Sequence, residues 1–169
     1  YFDLLQLYGD VIITKKPLDI TDPEMKVKRN DRSEVVDLII DDLNHAVENL
    51  PAFKELTTEE EGRISKEGAQ AFLSRVALYE GTWQKSRNGN QNTQRSANLL
   101  DIAAKAARTV IDAKYGYTFR LFGTDSETKI LGDSAQKYMF ILENEKSNPA
   151  GIKKSSNHEY IFARRHDQV

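Results

Sequence analysis

Ser65-Lys66-Glu67-Gly68-Ala69-Gln70-Ala71-Phe72-Leu73-Ser74-Arg75-Val76-Ala77-Leu78-Tyr79-Glu80-Gly81-Thr82-Trp83 is the stretch on which the fold turns. Ala69, Phe72, Leu73, Val76 and Tyr79 recur at three- and four-residue intervals, which places them on one face of an α-helix. Ala71, Ala77 and Leu78 widen that stripe, so the spacing predicts a helix over Lys66 to Glu80 packed on two sides. Ser65 offers its hydroxyl as the N-cap. Gly81-Thr82-Trp83 predicts the stop: a glycine turn with an apolar residue two places on, packed beneath it. Gly81 and Trp83 are therefore expected to form the turn of a structural hairpin. Its second arm is expected from Ser96 to Lys114, where Ala103, Ala104, Ala106 and Ala107 permit close helix approach and Gly116 lies in the C-cap region.

Working outward, Tyr1, Leu4, Leu5 and Tyr8 share a helical face that Gly9 can end. The segment Ser33 to Leu50 carries Val36, Ile39, Ile40, Leu43, Val47 and Leu50 on one side and Asp37, Asp41, Asn44 and Glu48 on the other. Asp31 and Glu34 stand at capping-box separation before it, and Pro51 follows. A shorter helix is expected over Ser134 to Asn144, capped by Asp133. Val11-Ile12-Ile13 and Glu159 to Ala163 favour extended backbone through β-branched and aromatic residues. The polar run Lys85 to Asn98 is expected to be a mobile loop. Gly9-Asp10-Val11 repeats the glycine-x-apolar skeleton of Gly81-Thr82-Trp83, and each can serve as the turn of a tetratricopeptide-type hairpin. The expected fold is all-α: tetratricopeptide-like helix pairs with long irregular loops and at most short strands, forming one domain over residues 1–169.

Composition narrows the function. The chain has 169 residues, 24 Lys and Arg against 26 Asp and Glu, and a formal net charge of -2, which gives no electrostatic basis for binding nucleic acid. It has no cysteine, which removes disulfides, thiolate metal sites and cysteine nucleophiles. His45, His158 and His166 lack partners at metal-ligand spacing, and Asp125-Ser126-Glu127-Thr128 lacks the glycine and terminal glutamate of an EF-hand loop. Neither a metal nor another cofactor is expected. Asp37, Asp41, Asp42 and Glu48 fall opposite an apolar stripe, so they read as a solvated face rather than an acid/base pair. No nucleophile-elbow, kinase or phosphate-loop motif is present, and the chain is not expected to be an enzyme. Trp83 and Tyr79 are expected to pack rather than stack on sugar.

Six segments in order resemble the SusD/RagB family of outer-membrane nutrient-binding lipoproteins in Bacteroidota. They are Tyr1 to Val11, Arg32 to Leu43, Gly62 to Ala69, the Ala71 to Trp83 helix, Ala103 to Tyr117 with Leu121-Phe122 after it, and Asn157-His158-Glu159-Tyr160-Ile161-Phe162. The chain opens without an initiator Met and is expected to be a central piece of a longer protein. The resemblance implies capture of an oligosaccharide, or a peptide, at the cell surface. It also implies delivery to a TonB-dependent SusC-like transporter, with a lipid anchor on an N-terminal part outside this sequence. Arg164-Arg165-His166-Asp167 leaves a strand where relatives begin ligand-facing segments, and arginine and aspartate can bind sugar hydroxyls through paired hydrogen bonds. An exposed strand end with local ion pairs is the plainer reading, and Arg164, Arg165 and Asp167 stand as the ligand-binding candidates. The first rival is a generic tetratricopeptide scaffold that holds a partner's peptide without binding glycan. The second, a helical glycan-processing enzyme, would need a carboxylate pair facing one cleft.

Overall fold

The computed structural model describes residues 1–57, 59–60, 62–87, 93–142, 144 and 146–162. These form five α-helices: α1 (Phe2–Tyr8), α2 (Arg32–Asn49), α3 (Lys66–Arg87), α4 (Thr93–Ile111) and α5 (Ala135–Met139). Short 3-10 turns stand at Pro23–Lys26, Phe53–Glu55, Lys129–Ser134 and Lys154–Ser156. The all-α expectation holds. Among the described residues extended pairing is limited to one isolated antiparallel bridge, Val11 with Asn30. The residues divide into two compact units, Tyr1–Asn49 with Phe72–Ala106, and Leu50–Ala71 with Ala107–Val169.

The first unit is built by helical spacing. Phe2 and Leu5 of α1, Val35, Val36 and Ile39 of α2, Val76 of α3 and Leu99 of α4 form its buried core. Phe2 sits edge-on to Phe72 and Tyr79, with ring centroids 5.5 and 5.6 Å apart, the geometry that ring quadrupoles favour. Small residues let α3 and α4 close on each other. Ser74 donates to the Ala103 carbonyl at 2.9 Å and Ser96 to the Gly81 carbonyl at 2.8 Å. Gly9 ends α1 with φ 70°, a left-handed conformation that glycine adopts without steric cost. Asp10 then accepts the Arg32 N–H at the start of α2, and Val11 packs against the core. The Gly9-x-Val11 turn thus forms as the sequence predicts. The chain leaves it at Val11, makes a long excursion and returns at Asn30, whose N–H reaches the Val11 carbonyl at 2.9 Å. Asp31 accepts the Ser33 N–H at 3.0 Å, half of the expected capping box, while Glu34 takes the Asn30 amide instead.

The second unit relies on polar braces. Ser65 caps α3 as expected, its hydroxyl accepting the Gly68 N–H at 3.2 Å. Glu67, 2% exposed, accepts the Phe53 N–H at 2.7 Å and ties the Phe53–Glu55 turn to the first turn of α3. Phe122, Leu131, Ala135, Leu142 and Ile152 form a small core with Tyr138, Met139 and Ala150 around it. Asn148, buried, donates to the Ile152 carbonyl and accepts the N–H groups of Ile152 and Ala150, which closes the loop beside that core. The end of α4 is a Schellman turn: Lys114 N–H bonds to Thr109 C=O and Ala113 N–H to Val110 C=O. The left-handed position of that turn belongs to Ala113, with φ 53°, rather than to Gly116 as the sequence predicts.

Several expectations are corrected. Gly81 does not end a helix, because α3 continues through it to Arg87. Gln84, Lys85 and Arg87 are good helix formers, so the polar composition of Lys85 to Asn98 was no loop signal at its two ends. Thr93 to Asn98 likewise belongs to α4. The helix expected over Ser134 to Asn144 shrinks to Ala135–Met139: Gly132 (φ 51°, ψ -137°) breaks the preceding turn and Leu142 folds back into the core. Ser134, not Asp133, occupies the N-cap position, without a side-chain bond. Val11-Ile12-Ile13 makes only the single bridge. Glu159 to Phe162 forms no strand, and Ala163 lies outside the described residues.

Candidate functional site

Arg32 is the first residue of α2, and its guanidinium reaches two other helices of the first unit. Nε and Nη2 donate to one oxygen of Glu80 at 2.9 and 2.7 Å, and Nη1 donates to the Leu5 carbonyl in the last turn of α1 at 3.2 Å. Glu80 is fully buried, and its other oxygen accepts the Gln84 amide at 2.6 Å. A buried carboxylate needs such a complete set of donors, since desolvation of an unpaired charge costs several kcal/mol. The indole of Trp83, half-buried, lies 4.4 Å from the Arg32 guanidinium and 4.7 Å from that of Arg87, and stacks on Tyr79 at 6.1 Å. Its ring is committed to these cation-π and stacking contacts. Trp83 therefore lies within α3 instead of under a turn. Gly81 serves α4: a Cβ there would meet the Leu100 side chain at 2.9 and 3.0 Å and its backbone nitrogen at 3.2 Å.

The excursion between α1 and α2 carries a recess of about 470 Å³ lined by Ile13, Lys15, Lys16, Glu24 and Asn30. That volume is in the range of small-molecule sites, with a lining about equally polar and apolar. Asn30 is oriented by the Ile13 N–H and by Glu34. Lys16 sits 3.1 Å from Asp22 and 3.2 Å from Glu24, and these carboxylates raise its pKa. Around the recess Lys16 and Glu24 are thus engaged with each other, and Asn30 with Ile13 and Glu34.

In the second unit Phe53, Tyr117, Phe119 and His158 form a half-buried ring cluster, with centroids 4.5 to 6.1 Å apart. Lys66 lies over the neighbouring Tyr115 ring at 5.6 Å. Burial raises the Tyr117 phenol, and burial together with the Glu67 charge raises that of Tyr115. Sequence reasoning missed this cluster, although Tyr115, Tyr117 and Phe119 alternate at the two-residue spacing that aligns side chains along extended backbone.

Asp125 shows why its loop is no calcium site. Burial alone would raise its carboxyl. The N–H and hydroxyl of Thr128, the N–H of Glu127 and the nearby His158 outweigh burial and hold it below the usual carboxylate range. Its oxygens are thus spent on the turn. Asp37, Asp41, Asp42 and Glu48 are exposed on α2 as expected, Asp37 pairing with Arg95 at 2.7 Å. The ligand candidates Arg164, Arg165 and Asp167 lie outside the described residues, as does His166. Among the described residues no cluster of three or more potential ligands could hold a metal ion, and no helix is long and apolar enough to cross a membrane.

Residues 1–78 match the family model SusD-like_3, described as "Starch-binding associating with outer membrane". No curated protein and no solved structure matches the chain. The matched stretch takes in α1, the excursion, α2 and the first half of α3. Over its first 78 residues the chain therefore carries the pattern of the SusD-like family, the family that its sequence resembles.

Proposed function

We propose that this chain is part of a nutrient-capture protein that holds an oligosaccharide at the cell surface and passes it to a TonB-dependent SusC-like transporter. A lipid anchor on a part of the protein outside this sequence would keep it at the outer membrane. Residues 1–169 would then form one SusD-like helical-repeat domain without catalysis of its own. The observation that carries this proposal is the match of residues 1–78 to a starch-binding, outer-membrane-associated family. The absence of a strong basic excess and the commitment of the α2 carboxylates to solvent and Arg95 agree with binding rather than hydrolysis or nucleic-acid recognition. Arg164, Arg165 and Asp167 remain the proposed ligand contacts, through hydrogen bonds to sugar hydroxyls.

Calorimetry of the full-length protein with maltoheptaose, beside a mixture of short peptides, tests the ligand class. Saturable heat with the oligosaccharide and none with peptides is expected, and the isolated 169-residue chain should bind poorly. Saturable peptide binding with no response to starch or other glycans would overturn the glycan assignment. Recovery of the protein in the soluble fraction, away from the outer membrane, would overturn the localisation.

A further inference from the structure

We propose that residues 14–29, the excursion between α1 and α2, form a docking loop for a protein partner whose surface is acidic around an apolar hollow. The inference rests on the nutrient-transfer function proposed above, in which a second protein receives the ligand.

The loop is long but held. At its base, the Asn30 N–H reaches Val11, the Ile13 N–H reaches the Asn30 side chain at 2.9 Å, and the Thr14 N–H reaches the Tyr1 hydroxyl at 2.9 Å. Inside it, Asp22 caps the Pro23–Lys26 turn by accepting the Glu24 N–H, and Lys16 is clamped between Asp22 and Glu24. Connections of this length within a compact unit are uncommon and are typically binding loops when ordered. Yet this ordered segment buries little: Ile20 is 88% exposed, Met25 51% and Val27 46%. Fixing the backbone of a loop costs roughly 1–2 kcal/mol per residue, and these apolar side chains, Ile20 above all, return little for it within the unit.

Charge indicates what covers them. Lys15, Lys26, Lys28 and Arg29 are exposed, and their side chains have no hydrogen-bond or ion-pair partner among the described residues. The acids of the loop are already engaged, Asp22 and Glu24 by Lys16 and Asp19 by the N–H of Ile20. A chain of net charge -2 thus displays a local positive surface interleaved with apolar tips. Complementary carboxylates around a hollow for Ile20 would match it, and they would speed encounter as well as fix register. A protein surface can set its carboxylates at fixed points opposite Lys15, Lys26, Lys28 and Arg29 and away from Asp19, Asp22 and Glu24, which a uniformly anionic lipid surface does not do.

The test measures binding of the full-length protein to its cognate SusC-like transporter in detergent, at low and at high salt. Lys26→Glu combined with Lys28→Glu and Arg29→Glu should weaken binding at least about tenfold and flatten its salt dependence. Ile20→Ser should weaken it several-fold while leaving the salt dependence intact. Circular dichroism should show both variants as helical as the parent, since all four side chains are exposed. If the parent binds and both variants bind equally well, the docking loop is refuted while the transfer function stands. If the parent does not bind at all, the transfer function fails and this inference with it. Loss of binding to phosphatidylglycerol vesicles, with transporter binding unchanged, would assign the loop to a lipid surface and overturn the proposal.

Discussion

The two units reach order by different means. Around Leu5, Val36 and Val76, side chains at helical spacing on four helices meet in a core, and one buried ion pair, Arg32 with Glu80, joins α1, α2 and α3. Around Leu142 and Ile152, the chain has few long helical stretches, and side chains such as Asp125, Thr128 and Asn148 satisfy backbone groups that no helix takes up. Buried backbone groups must be paired in both cases. A helix does this locally and leaves its side chains free to pack. An irregular segment has to recruit polar side chains for the task, and each becomes a point on which a loop depends.

This contrast can be broken most sharply at Glu80. Glu80→Ala leaves the Arg32 guanidinium uncompensated in a buried site, and a loss of about 3–5 kcal/mol is expected in denaturant unfolding. Replacing the pair together, Arg32→Met with Glu80→Leu, should recover most of that loss, and a double variant as unstable as the single one would show the pair itself to be stabilising. Next comes Gly81. As a turn glycine it would lose little by becoming alanine outside a positive φ, and as a helical glycine it should even gain helix propensity. Because Leu100 occupies the space a Cβ would need, Gly81→Ala is expected to destabilise by about 1–3 kcal/mol. A raised thermal midpoint would show that α4 can step aside.

In the second unit, Asp125→Ala strips the buried Thr128 of its partners and should cost about 1–3 kcal/mol, read from the signals of the Phe122–Ile152 region by amide exchange. Its pH dependence has a definite sign. A carboxyl held below its unfolded value contributes stability above that value, and the contribution is lost as pH falls through the folded pKa. Parent protein should therefore lose stability below about pH 4, and Asp125→Asn should flatten that loss. The smallest effect is expected at Ala113, where the left-handed turn strains an alanine. Ala113→Gly should stabilise by about 0.5–1 kcal/mol, and no gain would mean that the Schellman turn tolerates the methyl group.

Legibility followed the same division. The α2 stripe of Val36, Ile39 and Leu43, with its exposed acids opposite, was plain from spacing alone, as were the Ser65 cap and the turn at Gly9. Gly81 was misread because the same glycine-x-apolar skeleton occurs at both places. What separates them is the flanking sequence. Past Gly9 stand the β-branched Val11, Ile12 and Ile13, which leave the helical region, whereas past Gly81 the helix formers Gln84, Lys85 and Arg87 stay in it. The ring cluster of Phe53, Tyr117, Phe119 and His158 joins residues far apart in sequence, which no local pattern reports.

From the order of residues alone came the all-α class, the positions of the long helices and the family resemblance, because these depend on periodicity and local spacing. Tertiary structure alone decided that Gly81 is a site of helix contact, that Trp83 is held between arginines, and that Arg32 and Glu80 are partners across 48 positions. It also decided that the Lys15 to Arg29 excursion is a braced, basic loop with bare apolar tips. Each of these rests on contacts between segments distant in the chain, and their energy exists only once the segments have been brought together.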